Sequence, residues 1–467
     1  MKFNLFPYFR LTTIYIIFFE NMKNHKCSLV LFVILLCTMF NTLLSQENQF
    51  QPIDSLIQLI EDNNKGMGSL AIRKNGTLVY SKAFGKYSID SKTAKNSNTQ
   101  TGYRIGSVSK MFTAVIIFQL IEEGKLTLET PLSTYFPNFK NSKKITISML
   151  LNHRSGIHNF TDDADYQYYM QTAKSKKELL EIMIKKGVDF DPDEKAAYSN
   201  SNYILLGYIA EEVTKKKYAE LVTNRIVDKL DLKRTYLGEG IKESKNEAQS
   251  YMYIKNKYVK TTETHPSIAY SAGSLVSTSE ELTLFIDGLF TEKLISKSSF
   301  EKMVELKENY GRGIFRYPYD NSWLFGHTGG IDNFQSMLAY DPEEAVSVSY
   351  CANAVSYPTN DILLFVLSQV YKKGVMYPNF GTIDVDEAIL KTYIGEYTTD
   401  KMALKITISV KDGKLFAQAS GQDEFGLDAI NETTFEFPPA RILMEFDTTT
   451  KTFKFEQSGV KMLFRRK

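Results

Sequence analysis

Tyr103-Arg-Ile-Gly-Ser107-Val-Ser-Lys110 decides how this chain reads. Ser107 and Lys110 stand three residues apart at the head of a run in which Met111, Phe112, Val115, Ile116, Leu120 and Ile121 recur at helical spacing. That spacing puts both side chains on one helical face. A serine hydroxyl is a poor nucleophile at neutral pH and needs a proton acceptor beside it; a lysine serves once burial and nearby positive charge lower its pKa. The helix N-terminus adds polarisation, and Gly106 supplies a turn that presents the hydroxyl.

Ser-x-x-Lys alone carries little information, and its weight comes from what surrounds it. Tyr198-Ser-Asn200 precedes an apolar run from Tyr203 to Ile209 that reads as another helix start. It offers a phenol for proton transfer and a carboxamide able to bind a substrate carbonyl or hold the lysine. His327-Thr-Gly-Gly330 lies between Trp323-Leu-Phe325 and the run Phe334 to Tyr340, so it is expected on or entering a sheet-edge strand. Small residues there let a substrate backbone approach, and one amide N–H can face a developing oxyanion.

With Ile145 to Ile157 and Ala272 to Thr278, these make five motifs in a fixed order, and on them the chain resembles the class C serine beta-lactamases and their relatives, the penicillin-binding D-alanyl-D-alanine carboxypeptidases, D-amino-acid peptidases and esterases. The resemblance covers about Ile53 to Tyr371. It implies that Ser107 is acylated, that Lys110 accepts its proton and that Tyr198 relays a proton at the leaving group, the division of base duty between lysine and tyrosine staying open. It further implies substrate binding by Asn200, His327, Thr328 and Gly329, with an oxyanion hole made by the N–H groups of Ser107 and Gly330. Loss of one such donor costs roughly 3 kcal/mol in the barrier. His327 departs from the lysine that opens this motif in most true beta-lactamases. A histidine titrates near neutrality, so a substrate carboxylate is expected to meet a conditional positive charge, which counts against efficient antibiotic hydrolysis.

The fold implied is α+β: a beta-lactamase/DD-peptidase-like antiparallel sheet flanked by helices, with an all-helical lobe and a small all-β C-terminal domain. Ile53, Leu56, Ile57 and Ile60 mark an opening helix, and Ser69 to Ile72 and Leu78 to Phe84 flank a hairpin turn at Asn75-Gly76. Trp323 to Phe325, Phe334 to Tyr340 and Val346 to Cys351 return to the sheet, and Ile362 to Tyr371 closes it with a helix. Lys176 to Lys186 and Tyr218 to Leu230 belong to the helical lobe, and the site lies between sheet and lobe. Past Gly374 the pattern alternates: Ala403 to Val410, Lys414 to Ala419, Thr434 to Phe437, Ile442 to Phe446 and Phe453 to Glu456, with a hairpin at Asp412-Gly413. The domains expected are a signal segment 1–45, a hydrolase domain 46–374, a linker 375–386 and a β-barrel-like domain 387–467.

Composition agrees with a secreted globular enzyme of 467 residues, 43% hydrophobic and 13% aromatic. Met22-Lys-Asn-His-Lys26 followed by apolar Cys27 to Phe40 reads as an export signal that starts at Met22 and ends imperfectly at Leu43-Leu-Ser45, with an uncleaved membrane anchor as the rival. A periplasmic or secreted enzyme is therefore expected, membrane-associated only if that segment is retained. Without residues 1–45, 52 basic residues stand against 53 acidic ones, a balance that excludes the concentrated basic surface of a nucleic-acid binder. Cys351 is the single cysteine beyond that segment and reads as a core strand residue. No cofactor is implied, and no metal: His153 and His158 lack further ligands at suitable spacing, His265 falls in a polar loop, and Asp162, Asp163 and Asp165 read as a solvated loop bordering the cleft. The expected substrates are D-amino-acid-containing peptides or amides, then esters, then beta-lactams, peptidoglycan fragments among them. The rival is a catalytically idle relative that binds cell wall or a protein partner.

Overall fold

The computed structural model describes residues 49–467 apart from 90–92, 255–256, 309, 321, 374–376, 379, 381–382, 423, 438–441 and 458–459. The expected signal segment lies outside the described residues, as does much of the expected linker. No helix among the described residues is long and apolar enough to cross a membrane.

Six antiparallel strands form the main sheet: β1 (Gly66–Lys74), β2 (Thr77–Phe84), β3 (Phe315–Tyr319), β4 (Ser322–Ile331), β5 (Phe334–Asp341) and β6 (Val346–Val355), in the order β3-β4-β5-β6-β1-β2. The first and last parts of the domain thus meet at the β1–β6 pair. Asn75 and Gly76 both take positive φ (49° and 74°), the two-residue turn whose twist matches its flanking strands. One face of the sheet is covered by helices 49–62 and Thr359–Val370, whose Ile53, Ile57, Ile362 and Val366 pack on Leu70, Val348 and Tyr350. On the other face lie Ser279–Phe290 and Ser109–Glu122, joined by the stacked rings of Phe112 and Phe285, 3.7 Å between centroids.

The Ser109–Glu122 helix is buried on all sides from Ser109 to Leu120, because the sheet, Ser279–Phe290 and the helical lobe surround it. That lobe contains Lys176–Lys186, opened by a Ser175/Glu178 capping box, and Asn200–Thr214. Tyr218 to Leu230 forms helix as expected, with a π-type turn at Thr223–Val227. His327 to Gly330 lie on β4, which is not the edge strand: β3 pairs outside it. That pairing ends at Phe315 opposite Gly326, so β3 leaves the edge of β4 from His327 onward uncovered.

Eight strands from Gly395–Thr399 to Val460–Arg466 close into a barrel, Tyr397 pairing with Arg466 to seal first strand against last. Eight strands leave an interior just wide enough for side chains, and here Phe435, Met444, Phe453 and Phe464 fill it. Asp412 and Gly413 make the expected tight turn, φ 48° and 71°. In the linker span, the Ile383 N–H donates to Ala429 O, a residue of the barrel.

Candidate active site

Ser107 sits in a single 3-10 turn, Gly106–Val108, that runs into the buried helix. The turn is tied down on both sides. Tyr103–Arg104 pairs with Leu275–Ser277, and Ile105 N–H donates to Leu275 O, which brings the Ala272 to Thr278 motif beside the serine. Gly106 has φ 49°, and a Cβ on it would fall 2.7 Å from the Gly330 nitrogen, while one on Gly329 would fall 2.0 Å from Ile105 O. The backbones of residues 105–107 and 329–330 therefore touch with no side chain between them, and both Ser107 and Gly330 line the cleft.

Around Ser107 Oγ the hydrogen bonds form a closed set. The Tyr198 hydroxyl donates to it at 2.7 Å and Lys110 Nζ lies 2.9 Å away. Lys110 Nζ donates to Asn200 Oδ1 at 2.7 Å and to Ala272 O at 2.8 Å. Lys110 is 0% exposed, and burial pushes its pKa well below the usual lysine value. A neutral amine has two N–H bonds and one lone pair. In that form Asn200 and Ala272 O take the two N–H bonds and the lone pair faces the Ser107 hydroxyl proton. Burial moves Tyr198 the other way, raising its pKa, so it stays a phenol and a donor. The lysine is thus the base-ready partner and the tyrosine the acid-ready one.

Neighbouring residues hold these groups. His153 (φ 60°) stacks on the Tyr198 ring, 4.4 Å between centroids, and its Nδ1 accepts the Ser199 N–H. Asn200, the first residue of its helix, takes Asn159 Oδ1 on its backbone N–H and donates through Nδ2 to Thr161 Oγ1, both at 2.9 Å. Asn159, Thr161 and the Ala272 carbonyl were not singled out from sequence. The first two follow His158 in a segment whose only visible signal was its polar, acidic composition, and a backbone carbonyl carries no side-chain signal at all.

His327 is 3% exposed, its Nδ1 donates to Thr328 O at 2.5 Å, and Phe315 packs against its ring. A carbonyl can only accept, so Nδ1 carries the proton. Burial above all pushes the His327 pKa down to about 3. The expected conditional charge near neutrality is therefore corrected: desolvation keeps this imidazole uncharged, and a substrate carboxylate meets no cation here. Thr328 is exposed on the same strand, and Gly329 is half-buried.

The cleft, about 440 Å³, is lined by Ser107, Asn200 and Gly330, by apolar Phe160, Met170, Ile268 and Ile331, and by Tyr166 and Asn333. Lysine and arginine are missing from its lining among the described residues. In the acidic loop Asp162 and Asp165 are exposed as expected, while Asp163 is largely buried against Lys186 and His158, and His158 also bonds Asp189, which fixes it as an ion-paired residue. His265 caps Pro266–Gly273 by accepting the Ser267 N–H. Cys351 is fully buried, its thiol pushed up to about 11. No group of three His, Cys, Asp or Glu able to hold a metal occurs among the described residues.

A serine hydroxyl, a buried lysine and a phenol meeting at one oxygen, beside the close approach of the Gly106 and Gly330 backbones, define a serine hydrolase on an α+β scaffold. The chain belongs to the Beta-lactamase family, whose model matches residues 56–367. Among curated relatives, the teichoic acid D-alanine hydrolase of Staphylococcus aureus is 31% identical over 296 residues, 62% of this chain and 70% of that protein. The D-amino acid amidase of Ochrobactrum anthropi SV3 shares the fold at TM-score 0.60 and 23% identity, over 69% of this chain and 99% of its own. The octameric penicillin-binding protein homologue of Pyrococcus abyssi does so at TM-score 0.64 and 24% identity, over 88% of this chain and 99% of its own. That last span is too long to be residues 56–367 alone.

Proposed function

We propose that this enzyme hydrolyses D-aminoacyl amides and esters whose leaving group bears no carboxylate, through an acyl-enzyme on Ser107. The observation that carries the reading is the hydrogen-bond set at Ser107 Oγ, with Lys110, its pKa lowered by burial, on one side and the Tyr198 hydroxyl donating from the other. Ser107 attacks the carbonyl carbon as its proton passes to Lys110 Nζ. Negative charge on the carbonyl oxygen meets the N–H groups of Ser107 and Gly330, near the positive end of the Ser109–Glu122 helix. Collapse expels the amine or alcohol, protonated by Tyr198, which recovers a proton from Lys110. Water then attacks the ester carbonyl by the reverse proton path, releasing the D-amino acid and Ser107.

Substrate class follows from charge. An uncharged His327 and a lining without lysine or arginine disfavour a DD-carboxypeptidase, whose substrate ends in a carboxylate next to the scissile bond. They suit an amide, or an ester to an alcohol, and the names of the staphylococcal hydrolase and the Ochrobactrum amidase point the same way. An exported location is part of the proposal, supported by the basic and apolar stretch Met22 to Phe40. The test is the ratio of kcat/KM for D-phenylalanine amide or a D-alanyl ester to that for an N-acylated D-Ala-D-Ala peptide. A preference of about tenfold or more for the first pair is expected, the size of one lost charge contact. A preference for the peptide would overturn the reading.

A further inference from the structure

Arg104, Thr264 and Asp332 come from three distant stretches and meet at the cleft, whose lining includes Thr264 and Asp332. Asp332 occupies the turn between β4 and β5, two residues after Gly330, with φ 55°. Its Oδ1 accepts the Thr264 N–H at 2.8 Å and the Thr264 hydroxyl at 2.7 Å, and its Oδ2 accepts Arg104 Nη1 at 3.3 Å. The same Arg104 nitrogen donates to Thr264 O at 2.7 Å, and the other arm of the guanidinium pairs with Glu263. The Asp332 side chain is 0% exposed and that of Arg104 4%. Arg104 lies three residues before Ser107, and Thr264 lies two before the helix Pro266–Gly273, whose Ala272 carbonyl takes an N–H of Lys110.

We propose that Asp332 is a positioning residue for the oxyanion hole, holding the Gly330 amide at working distance from the Ser107 amide by gripping Arg104 and Thr264 together. The proposal rests on reading those two amides as the oxyanion hole. The glycine contact between residues 105–107 and 329–330 sets how closely the two backbones can approach, but contact alone does not stop them sliding or parting. Among the described residues one side-chain bond reaches the seam, from Ser336 Oγ, opposite Gly329 on β5, to Ile105 O at 2.7 Å. The charged grip of Asp332 on Arg104 brackets the seam on its other side, so that each backbone is pinned within three residues of its amide. Donors to a developing oxyanion work over a few tenths of an ångström, so a seam free to slip weakens the transition state before it weakens substrate binding.

The experiment uses the whole chain and three readouts: kcat and KM on a D-alanyl ester, and affinity for an aryl boronic acid whose tetrahedral adduct on a serine oxygen places a second oxygen in the hole. Asp332→Asn keeps size and an acceptor for Thr264 but loses the charge facing Arg104. The expected result is a fall in kcat of about 10- to 100-fold, a similar loss in boronate affinity, and KM within about threefold of wild type. Arg104→Lys should behave alike, and the double variant should be little worse than the worse single, since both act on one grip. Wild-type kcat in a folded Asp332→Asn enzyme would overturn the proposal, as would boronate affinity and KM weakening by the same factor, the sign of a general structural role. Should Asp332→Asn fail to fold, Thr264→Val removes one bond to Oδ1 and is expected to lower kcat about threefold at constant KM; an unchanged kcat would then overturn it. A wild-type enzyme that forms no boronate adduct on Ser107 would overturn the reading of the site itself, a result separable from all of these.

Discussion

The cleft and the C-terminal barrel are both closely packed, and they differ in what they bury. Behind Ser107 the protein buries Lys110, His153, His327, Arg104 and the side chain of Asp332. Inside the barrel it buries rings and aliphatic chains, Phe453 and Phe464 stacked at 5.0 Å among them. Burying ionisable groups is costly unless each is neutralised or paired. The cleft meets that cost by keeping His153 and His327 uncharged, by lowering the Lys110 pKa and satisfying its amine with Asn200 and Ala272 O, and by pairing Arg104 with two carboxylates. The barrel avoids it, and among its described residues the one strongly shifted carboxyl is Glu436, half-buried opposite Asp428 and raised to about 7. Of these two parts, the cleft buries ionisable groups and the barrel interior is apolar.

Substitutions can break this contrast, and the largest effect belongs to the nucleophile. Ser107→Ala is expected to lower kcat by about 10⁴-fold or more with the melting temperature little changed, read from steady-state turnover and thermal denaturation. Lys110→Ala should cost about 10³-fold in the acylation rate, measured by single-turnover kinetics. The barrel should respond in the opposite manner: Phe453→Ala is expected to lose about 3–5 kcal/mol of stability to denaturant while kcat/KM of the folded enzyme stays within about twofold. A Phe453→Ala enzyme that folds but loses activity would make the barrel part of the catalytic apparatus.

A smaller effect sharpens the electrostatic half of the comparison. The folded-state pKa of His327 lies near 3, below its ordinary 6.5, so between those values the unfolded chain binds a proton that the folded chain does not. Its contribution to stability is therefore present above about pH 6.5 and is lost as pH falls toward 3. Acidification through that window should destabilise the wild type more than His327→Gln, and denaturant titrations at pH 7, 5 and 4 measure the gap. A gap that does not widen would mean that the histidine is solvated.

Local signals made much of this legible beforehand. Asn75-Gly76 and Asp412-Gly413 gave their turns away, and the helical period after Lys110 gave the buried helix. Strand β3 was not seen, because Pro318 interrupts it. An edge strand tolerates a proline, but edge position is a property of the sheet and not of the segment. Barrel strands Gly395–Thr399 and Phe425–Ala429 were missed for their glycines and brevity. Ser107, Lys110, Tyr198 and Asn200 were nameable from motif order and do converge on one another. The charge of His327 was misjudged because it depends on burial, to which Phe315 contributes, and only the fold assembles that. Ala272 O as a lysine partner was beyond reach for the same reason.

The central claim is that Ser107 is the nucleophile of an acyl-enzyme. Intact-mass spectrometry of wild type and Ser107→Ala after brief exposure to an activated D-aminoacyl ester tests it most directly. The account predicts an acyl mass increment on the wild type alone, mapped by peptide digestion to the segment holding Ser107 and lost with time as the D-amino acid is released. Turnover by both proteins, or an adduct that survives in Ser107→Ala, would contradict it.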